Sequence, residues 1–377
     1  MIRRLSKLLI ISMSVLLLTS CWDSEDINKK SIAISIGVDY VNDNIEFSGE
    51  IAKLTSSSKD TEKAKTSDVY KMLSYGKTFE EARVNYDSVN PFSVFLGATR
   101  VVVLGQNYAK KGIEPYLNRI DHLYDYRKTL LAVVSREPPK DLFNTKIEKD
   151  ISVGFLIEDI IEHVSSKGEG LYPVTGELLS DIELGKIGYL LPYVGIEKGS
   201  VKYLGLAVMK NSKLVGVINI EDTRGVIYLL AEKPKIVQIT NNTNSDKNKV
   251  SIQTFVKNRK IKSDYVNGQV NINIDLDLKA QLRYQYYTEP ISDKDNKQLE
   301  NIISEKAKND IKYIIKRAQK EFKCDIFEFA KYFRADNLEI YEKIDWEDAF
   351  TNANINVNVN TKIVNKSLRD PNAKKKY

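Results

Sequence analysis

From Val270 to Leu282 every second residue is apolar: Val270, Ile272, Ile274, Leu276, Leu278, Ala280 and Leu282. Side chains of a strand alternate between its two faces, so this run commits the segment to one long strand with one buried face. Just before it stands Asn267-Gly268, two residues that accept the positive φ angles of a type I′ hairpin turn. Residues about 250–266 and 269–286 are therefore expected to form a long antiparallel ribbon. Its buried face needs a cover. A helix from about Asn296 to Phe322 supplies one, with Leu299, Ile303, Ala307, Ile311, Ile314, Ala318 and Phe322 on a single stripe. Ile355, Val357, Val359, Thr361 and Ile363 then alternate with asparagine and predict a last strand. A long helix on one face of an antiparallel sheet satisfies both periodicities.

The first half mixes the two periods. Ser31 to Tyr40 places Ile32, Ile34, Ile36 and Val38 on one side, as in a half-buried strand, and Asn42-Asp43-Asn44 turns it into a second strand, Ile45 to Ala52. Residues 55–67 are rich in Ser, Thr and Lys and read as a loop. Val69 to Tyr75 is a further strand. Thr78-Phe79-Glu80-Glu81 is a capping box that starts a helix, and Pro91 bars its continuation. Thr99 to Leu104 and Lys128 to Ser135 are continuous apolar strands, suited to cover on both faces. Gln106 to about Leu123 is helical with a break at Gly112 and Pro115, and Ile151 to Val164 is a strong amphipathic helix. The fold class is α+β, with mixed or antiparallel sheets packed with helices. A glycine-rich stretch, Gly185 to Gly199 with Pro192, is expected to separate an N-terminal α+β domain, 21–198, from a C-terminal one, 199–370. Hairpins follow it, at Val201 to Met209 and Leu214 to Ile220, with a short helix near Gly225 to Ala231 and a polar loop at 241–249. Residues 371–377 form a basic tail.

The N-terminus fixes where such domains are expected to sit. Arg3, Arg4 and Lys7 precede an apolar run from Leu8 to Leu18, and Leu18-Thr19-Ser20-Cys21 closes it. A helix needs roughly 20 apolar residues to cross a bilayer, and this run is shorter. Leu-Thr-Ser-Cys matches the bacterial lipobox. Residues 1–20 are thus expected to be a cleaved lipoprotein signal peptide and Cys21 the lipidated first residue of the mature chain. Each buried acyl CH₂ contributes about 0.8 kcal/mol, so two or more chains hold a protein on a membrane without spanning it.

Charge and chemistry exclude several function classes. Formal net charge is +6 over the whole chain. Removal of residues 1–20 takes away three basic groups and no acid, leaving +3. So near a balance, nucleic acid is not expected as the main partner. With Cys21 assigned to lipid, Cys324 has no partner for a disulfide and reads as a buried thiol. His122 and His163 are the only histidines; His163 falls near a helix end, where a cation suits the dipole. Asp275 and Asp277 share the polar face of the long strand, a pairing that could serve hydrolysis but is common on charged surfaces. No nucleophile elbow and no phosphate loop are found. No enzyme, cofactor or metal site is expected. Aromatic residues gather at Tyr284, Tyr286 and Tyr287, and again at Phe322, Phe327, Phe329, Tyr332, Phe333, Trp346 and Phe350. Core packing is their default; exposed members would suit a protein partner.

Taken in order, a set of short motifs resembles the Ger(x)C family, the lipoprotein C subunits of spore germinant receptors. Cys21-Trp22-Asp23 followed by a strand with Gly37 and Asp39 looks like the family's opening. Lys77 to Arg83, Leu104-Gly105-Gln106, Ala109 to Ile113, Asp125-Tyr126-Arg127 and Leu190-Leu191-Pro192 continue the match. Asp325-Ile326-Phe327, then Trp346 with Phe350, resemble its closing motif. Ala98 stands where many relatives have histidine. The resemblance implies a non-enzymatic subunit on the outer face of the spore inner membrane, held by lipid and partnered by the membrane-spanning A and B subunits of the receptor. The alternative is a free-standing lipoprotein that binds a small solute or wall fragment, in a cleft between domains.

Overall fold

The computed structural model describes residues 29–52, 69–123, 125–147, 152–184, 187–242, 245–287 and 291–365. Residues 1–20, Cys21, the 55–67 segment and the 371–377 tail lie outside them. In chain order the elements are β1 (Lys30–Val41), β2 (Asn44–Ala52), β3 (Val69–Gly76), α1 (Phe79–Asp87), β4 (Ser93–Phe95), β5 (Val101–Gly105), α2 (Gln106–Lys111) and α3 (Glu114–His122). Next come β6 (Leu131–Ser135), α4 (Pro139–Phe143), α5 (Val153–Ser166), α6 (Thr175–Leu184), β7 (Tyr189–Glu197), β8 (Ser200–Lys210) and β9 (Lys213–Asn219). After a short 3₁₀ turn follow α7 (Arg224–Leu230), β10 (Lys235–Asn242), β11 (Ser245–Val266), β12 (Gln269–Gln285) and α8 (Asp293–Arg317). The last described elements are α9 (Phe329–Asp336), α10 (Leu338–Tyr341), α11 (Trp346–Asn352) and β13 (Asn354–Asn365).

Two sheets organise the α+β fold. The larger has the order β3-β2-β1-β5-β6-β7-β8-β9, with β4 beside the start of β1. Its centre, β1-β5-β6-β7, is parallel, and antiparallel hairpins extend both ends. The expected boundary at 198/199 falls inside this sheet, in the turn between β7 and β8; the break between sheets comes later, between Asn219 and Lys235. The smaller sheet is β10-β11-β12-β13. The hairpin turn at Asn267-Gly268 has positive φ at both residues, and Val266 pairs with Gln269 across it. The first three strands are antiparallel, but β13 runs parallel to β12, so the sheet is mixed and not purely antiparallel. The reason is topological: α8 to α11 return the chain to the end where β12 begins.

The central strands explain a misread pattern. β1 was expected to be buried on one face, yet it lies between β2 and β5 and is buried on both. The polar alternates Ser35 and Asp39 are inside, as are Glu46, Ser48 and Glu50 of β2. α4 and α5 close over them. Pro139 and Phe143 of α4 press so closely on Gly37 that a Cβ there would overlap them.

α8 begins with a reciprocal capping box, three residues ahead of its expected start: Ser292 Oγ accepts from the Asp295 amide at 3.1 Å, and Asp295 Oδ2 accepts from the Ser292 amide at 3.1 Å. Every residue of the expected apolar stripe is buried. The helix gives way to a π turn at Ala318–Phe322, ended by Lys323 in the left-handed region (φ 51°). One apolar cluster joins the two sheets, running from Val103, Val133 and Leu206 through α5 and α7 to α8, Ile272, Ile274 and Leu276.

Candidate interaction surface

The segment after α8 is where the closing sequence motif converges. Asp325 is buried, and its carboxylate accepts from the Phe327 amide (3.0 Å), the Ala330 amide (2.7 Å) and Trp346 Nε1 (3.1 Å). These bonds tie the start of α9 to the start of α11. The Asp325 carbonyl also accepts from the Gly188 amide at 2.8 Å, beside β7, so the same residue fastens this segment to the large sheet. Burial pushes the Asp325 carboxyl up, against the pull of those donors. Phe329, Phe333, Trp346 and Phe350 pack around it, as interior and not surface. Cys324 is a buried free thiol, its pKa raised to about 12 by burial, and carries no reactive thiolate at neutral pH.

A second convergence joins the opening motifs. Asp39 of β1 accepts from its neighbour Tyr40 (2.8 Å) and from the Tyr108 amide (3.0 Å), in the first turn of α2. Gly105 lies against that carboxylate with no room for a Cβ. Gly37, Asp39 and Leu104-Gly105-Gln106, distant in sequence, are therefore one packing unit. Glu50 does the same for α5: it accepts from the Val153 amide (3.0 Å), the Gly154 amide (2.8 Å) and Ser35 Oγ (2.9 Å), and pairs with Lys71 (2.6 Å). Sequence reasoning missed Glu46 and Glu50, because alternation in β2 put them on the side expected to face water.

The residues considered for chemistry are not brought together. His122 closes α3, its Nδ1 2.7 Å from the Asn118 carbonyl. His163 lies in the last turn of α5. Asp275 and Asp277 belong to the small sheet. There Asp275 accepts from Asn358 Nδ2 (3.0 Å), one rung of a ladder that continues as Asn356 to Asn273 (3.2 Å) and Asn354 to Asn271 (3.3 Å). The asparagines of β13 thus pair across the parallel register with the polar face of β12. Among the described residues, no cluster of three or more histidine, cysteine or carboxylate side chains could hold a metal.

The small sheet has one covered and one open face. α8 covers its apolar side, and the ladder occupies the other. At the far end of β12, Tyr284, Tyr286 and Tyr287 are 50%, 54% and 62% exposed, and the first two rings lie 5.8 Å apart. Exposed tyrosine, a large apolar area with a polar handle, is enriched at protein interfaces.

Two of the cavities bear on the site. One, of about 210 Å³, lies in the N-terminal part between α1, α3 and the sheet, lined by Ile36, Phe47, Tyr116 and Tyr126, with the Arg119–Glu80 ion pair beside it. The other, of about 280 Å³, lies where the two sheets meet, between Tyr172, Asp181, Arg259 and Tyr332.

Comparison with known proteins decides the family. Residues 23–196 match the spore germination protein N-terminal domain, and residues 204–367 match the family described as spore germination B3/GerAC like, C-terminal. The chain belongs to the Ger(x)C family of spore germination proteins. Spore germination protein B3 of Bacillus subtilis (strain 168) is 24% identical over 376 residues, covering 96% of this chain and 97% of its own. Spore germination protein A3 of the same organism is 24% identical over 292 residues, 73% of each chain. The crystal structure of the GerBC protein shares the fold, with a TM-score of 0.58 at 21% identity over 90% of this chain and 100% of that one. The family ties the chain to germination and is not a known enzyme family. No helix among the described residues is long and apolar enough to cross a membrane.

Proposed function

We propose that this chain is the lipid-anchored subunit of a nutrient germinant receptor, acting by protein–protein contact on the outer face of the spore inner membrane. The observation that carries the reading is a combination on one chain: a lipobox ending at Cys21, followed from residue 23 by the two germination domains in order. Cys21 bears the lipid. The membrane-spanning A and B subunits are the partners, and the tyrosines and polar ladder of the small sheet are the surface offered to them. A tether confines the domain to a thin layer beside those partners, which raises effective concentration without any new contact. Interfaces of modest area then suffice. The test is co-purification. A tagged chain solubilised from spore membranes should bring down two multispanning proteins, and Cys21→Ala should leave the membrane fraction once its signal is removed. A chain that purifies alone from intact, detergent-solubilised spores would argue for the other reading.

That second reading, a free-standing solute binder, has one structural observation in its favour: the 280 Å³ cavity where the sheets meet. A solute that raises the melting temperature of the isolated chain, with the effect lost in Arg259→Ala, would support it.

A further inference from the structure

We infer that the loop joining α1 to β4, with Val89 and Phe92 at its surface, rests in the outer leaflet of the membrane and orients the domain on it. The inference rests on the lipid anchor proposed above. Nine chain steps, Cys21 to Lys30, lead from the anchor to the first residue of β1. Fully extended they reach about 32 Å, and as a flexible coil about 17 Å. β1 alone, at 12 residues, runs about 40 Å. The tether is therefore shorter than the strand it leads into, and the end of the fold where β1 starts is the end held to the membrane.

The loop is fastened to that end. Ser93 of β4 pairs with Lys30, whose Nζ donates to Ser93 Oγ at 3.0 Å. Ser31 Oγ donates to the Phe92 carbonyl at 3.2 Å, and Tyr70 Oη donates to Ser31 Oγ at 3.2 Å. The loop is also held to α1: the Ser88 amide donates to the Val84 carbonyl (2.9 Å), and Asn90 Nδ2 to the Tyr86 carbonyl (2.8 Å). Its shape is set before any contact, so little ordering cost remains for binding.

Three of the side chains this fixed loop presents are apolar. Val89 is 77% exposed and Phe92 42%, with Pro91 exposed between them and Val84 exposed one turn back on α1. Single exposed apolar residues need no explanation, but several on one rigid loop beside a lipid tether do. Lys29 and Lys30 flank them. Phenylalanine suits the boundary between headgroups and acyl chains, and the stem of exposed Lys29 can reach past apolar surface to the phosphates. The occupant that fits both the composition and the tether is a lipid surface.

The test uses the acylated chain in vesicles of phosphatidylethanolamine and phosphatidylglycerol. Cys21 is blocked by lipid and Cys324 is buried, so Val89→Cys or Phe92→Cys gives one reactive thiol for an environment-sensitive dye. Asp43→Cys, in the turn at the opposite end of β1, is the control. Brominated lipids should quench the dye at 89 and 92, with a blue shift, and should leave emission at 43 unchanged. Acylated chain that floats with the vesicles but shows no quenching at 89 and 92, or equal quenching at 43, overturns the orientation and leaves the anchor standing. Unacylated chain, made without residues 1–20, that floats as fully as the acylated form overturns the anchor, and the orientation with it. Unfolding midpoints matching wild type establish that the labelled variants are folded; Val89 at least, being so exposed, has no packing to lose.

Discussion

Trp346 Nε1 donates to Asp325 Oδ2 at 3.1 Å, and both side chains are buried. The bond links two residues that the sequence separates by 21 positions, at the seam between the two sheets. Trp346→Phe keeps most of the ring packing and removes the donor. A hydrogen bond to a charged group contributes about 1.5–3 kcal/mol, so a loss of that order is expected in urea unfolding. Asp325→Ala strips three donors of their acceptor at once and should cost more, about 3 kcal/mol or above. Equal losses in the two variants would mean that the carboxylate is not the hub.

A pH dependence follows from Asp39. Burial raises its carboxyl pKa, and the Tyr40 and Tyr108 amides pull it partly back. The folded state therefore binds the proton more tightly than the unfolded chain. Its contribution to stability is full below the unfolded pKa, near 3.9, and is lost as pH rises through the higher folded value. Asp39→Asn can keep the Oδ1 acceptor that both amides use. The stability of wild type relative to Asp39→Asn should thus fall as pH rises from about 4, measured by urea unfolding of both proteins at each pH. A difference that is flat or rises with pH contradicts the assignment.

The legible parts of this chain were those with a strong single period. The β12 alternation and the α8 stripe are each buried residue for residue, because one face of each element meets the core and the other meets water. The central strands broke that rule. β1 and β2 carry Asp39, Glu46 and Glu50 inward, where main-chain amides hold Asp39 and Glu50 and Lys140 pairs with one oxygen of Glu46, and a polar alternate in sequence does not reveal that a helix will cover it. β7 was not legible as a strand for another reason. Its Pro192 and Gly195 look like linker residues, yet the strand is central. Pairing with β6 begins only at Tyr193, so the missing amide of Pro192 leaves no bond unmade on that side. The parallel placement of β13 was also hidden, since alternation reports which face is buried and never the direction of the neighbour. As for the site, its aromatic tyrosines were visible in sequence, but which of the many aromatic residues stay exposed depended on the fold.

Close approach of helices gives a further expectation. Gly225 of α7 lies against the Asp310 carbonyl and Ile314 of α8, with no room for a Cβ. Gly225→Ala must push the two helices apart at the core that joins the sheets. Overpacking of this kind costs about 1–3 kcal/mol, which offsets or exceeds the helix-propensity gain of alanine, about 1 kcal/mol, and the contact here is with main chain that cannot turn aside. Thermal unfolding should show a lower midpoint for this variant.

Glu50 is the most demanding position in the N-terminal half. Its carboxylate is fully buried and meets four donors: two amides at the start of α5, Ser35 Oγ and Lys71 Nζ. Three of these are fixed by backbone or core packing, whereas Lys71 is 40% exposed and can turn to water. Removal of Lys71 should therefore be tolerated, since an ion pair with one exposed partner contributes about 1 kcal/mol or less. Removal of Glu50 is different. Glu50→Ala leaves the positive end of α5 facing an empty, buried space, with two amides and a hydroxyl unsatisfied, and a loss of about 3–5 kcal/mol is expected. Glu50→Gln retains shape and one acceptor oxygen but opposes its amide hydrogens to donors, and should fall between. The order Lys71→Ala, Glu50→Gln, Glu50→Ala, from mildest to worst, is the measurable outcome in denaturant unfolding. If Lys71→Ala proves as damaging as Glu50→Ala, the ion pair and not the helix start is what the buried carboxylate serves.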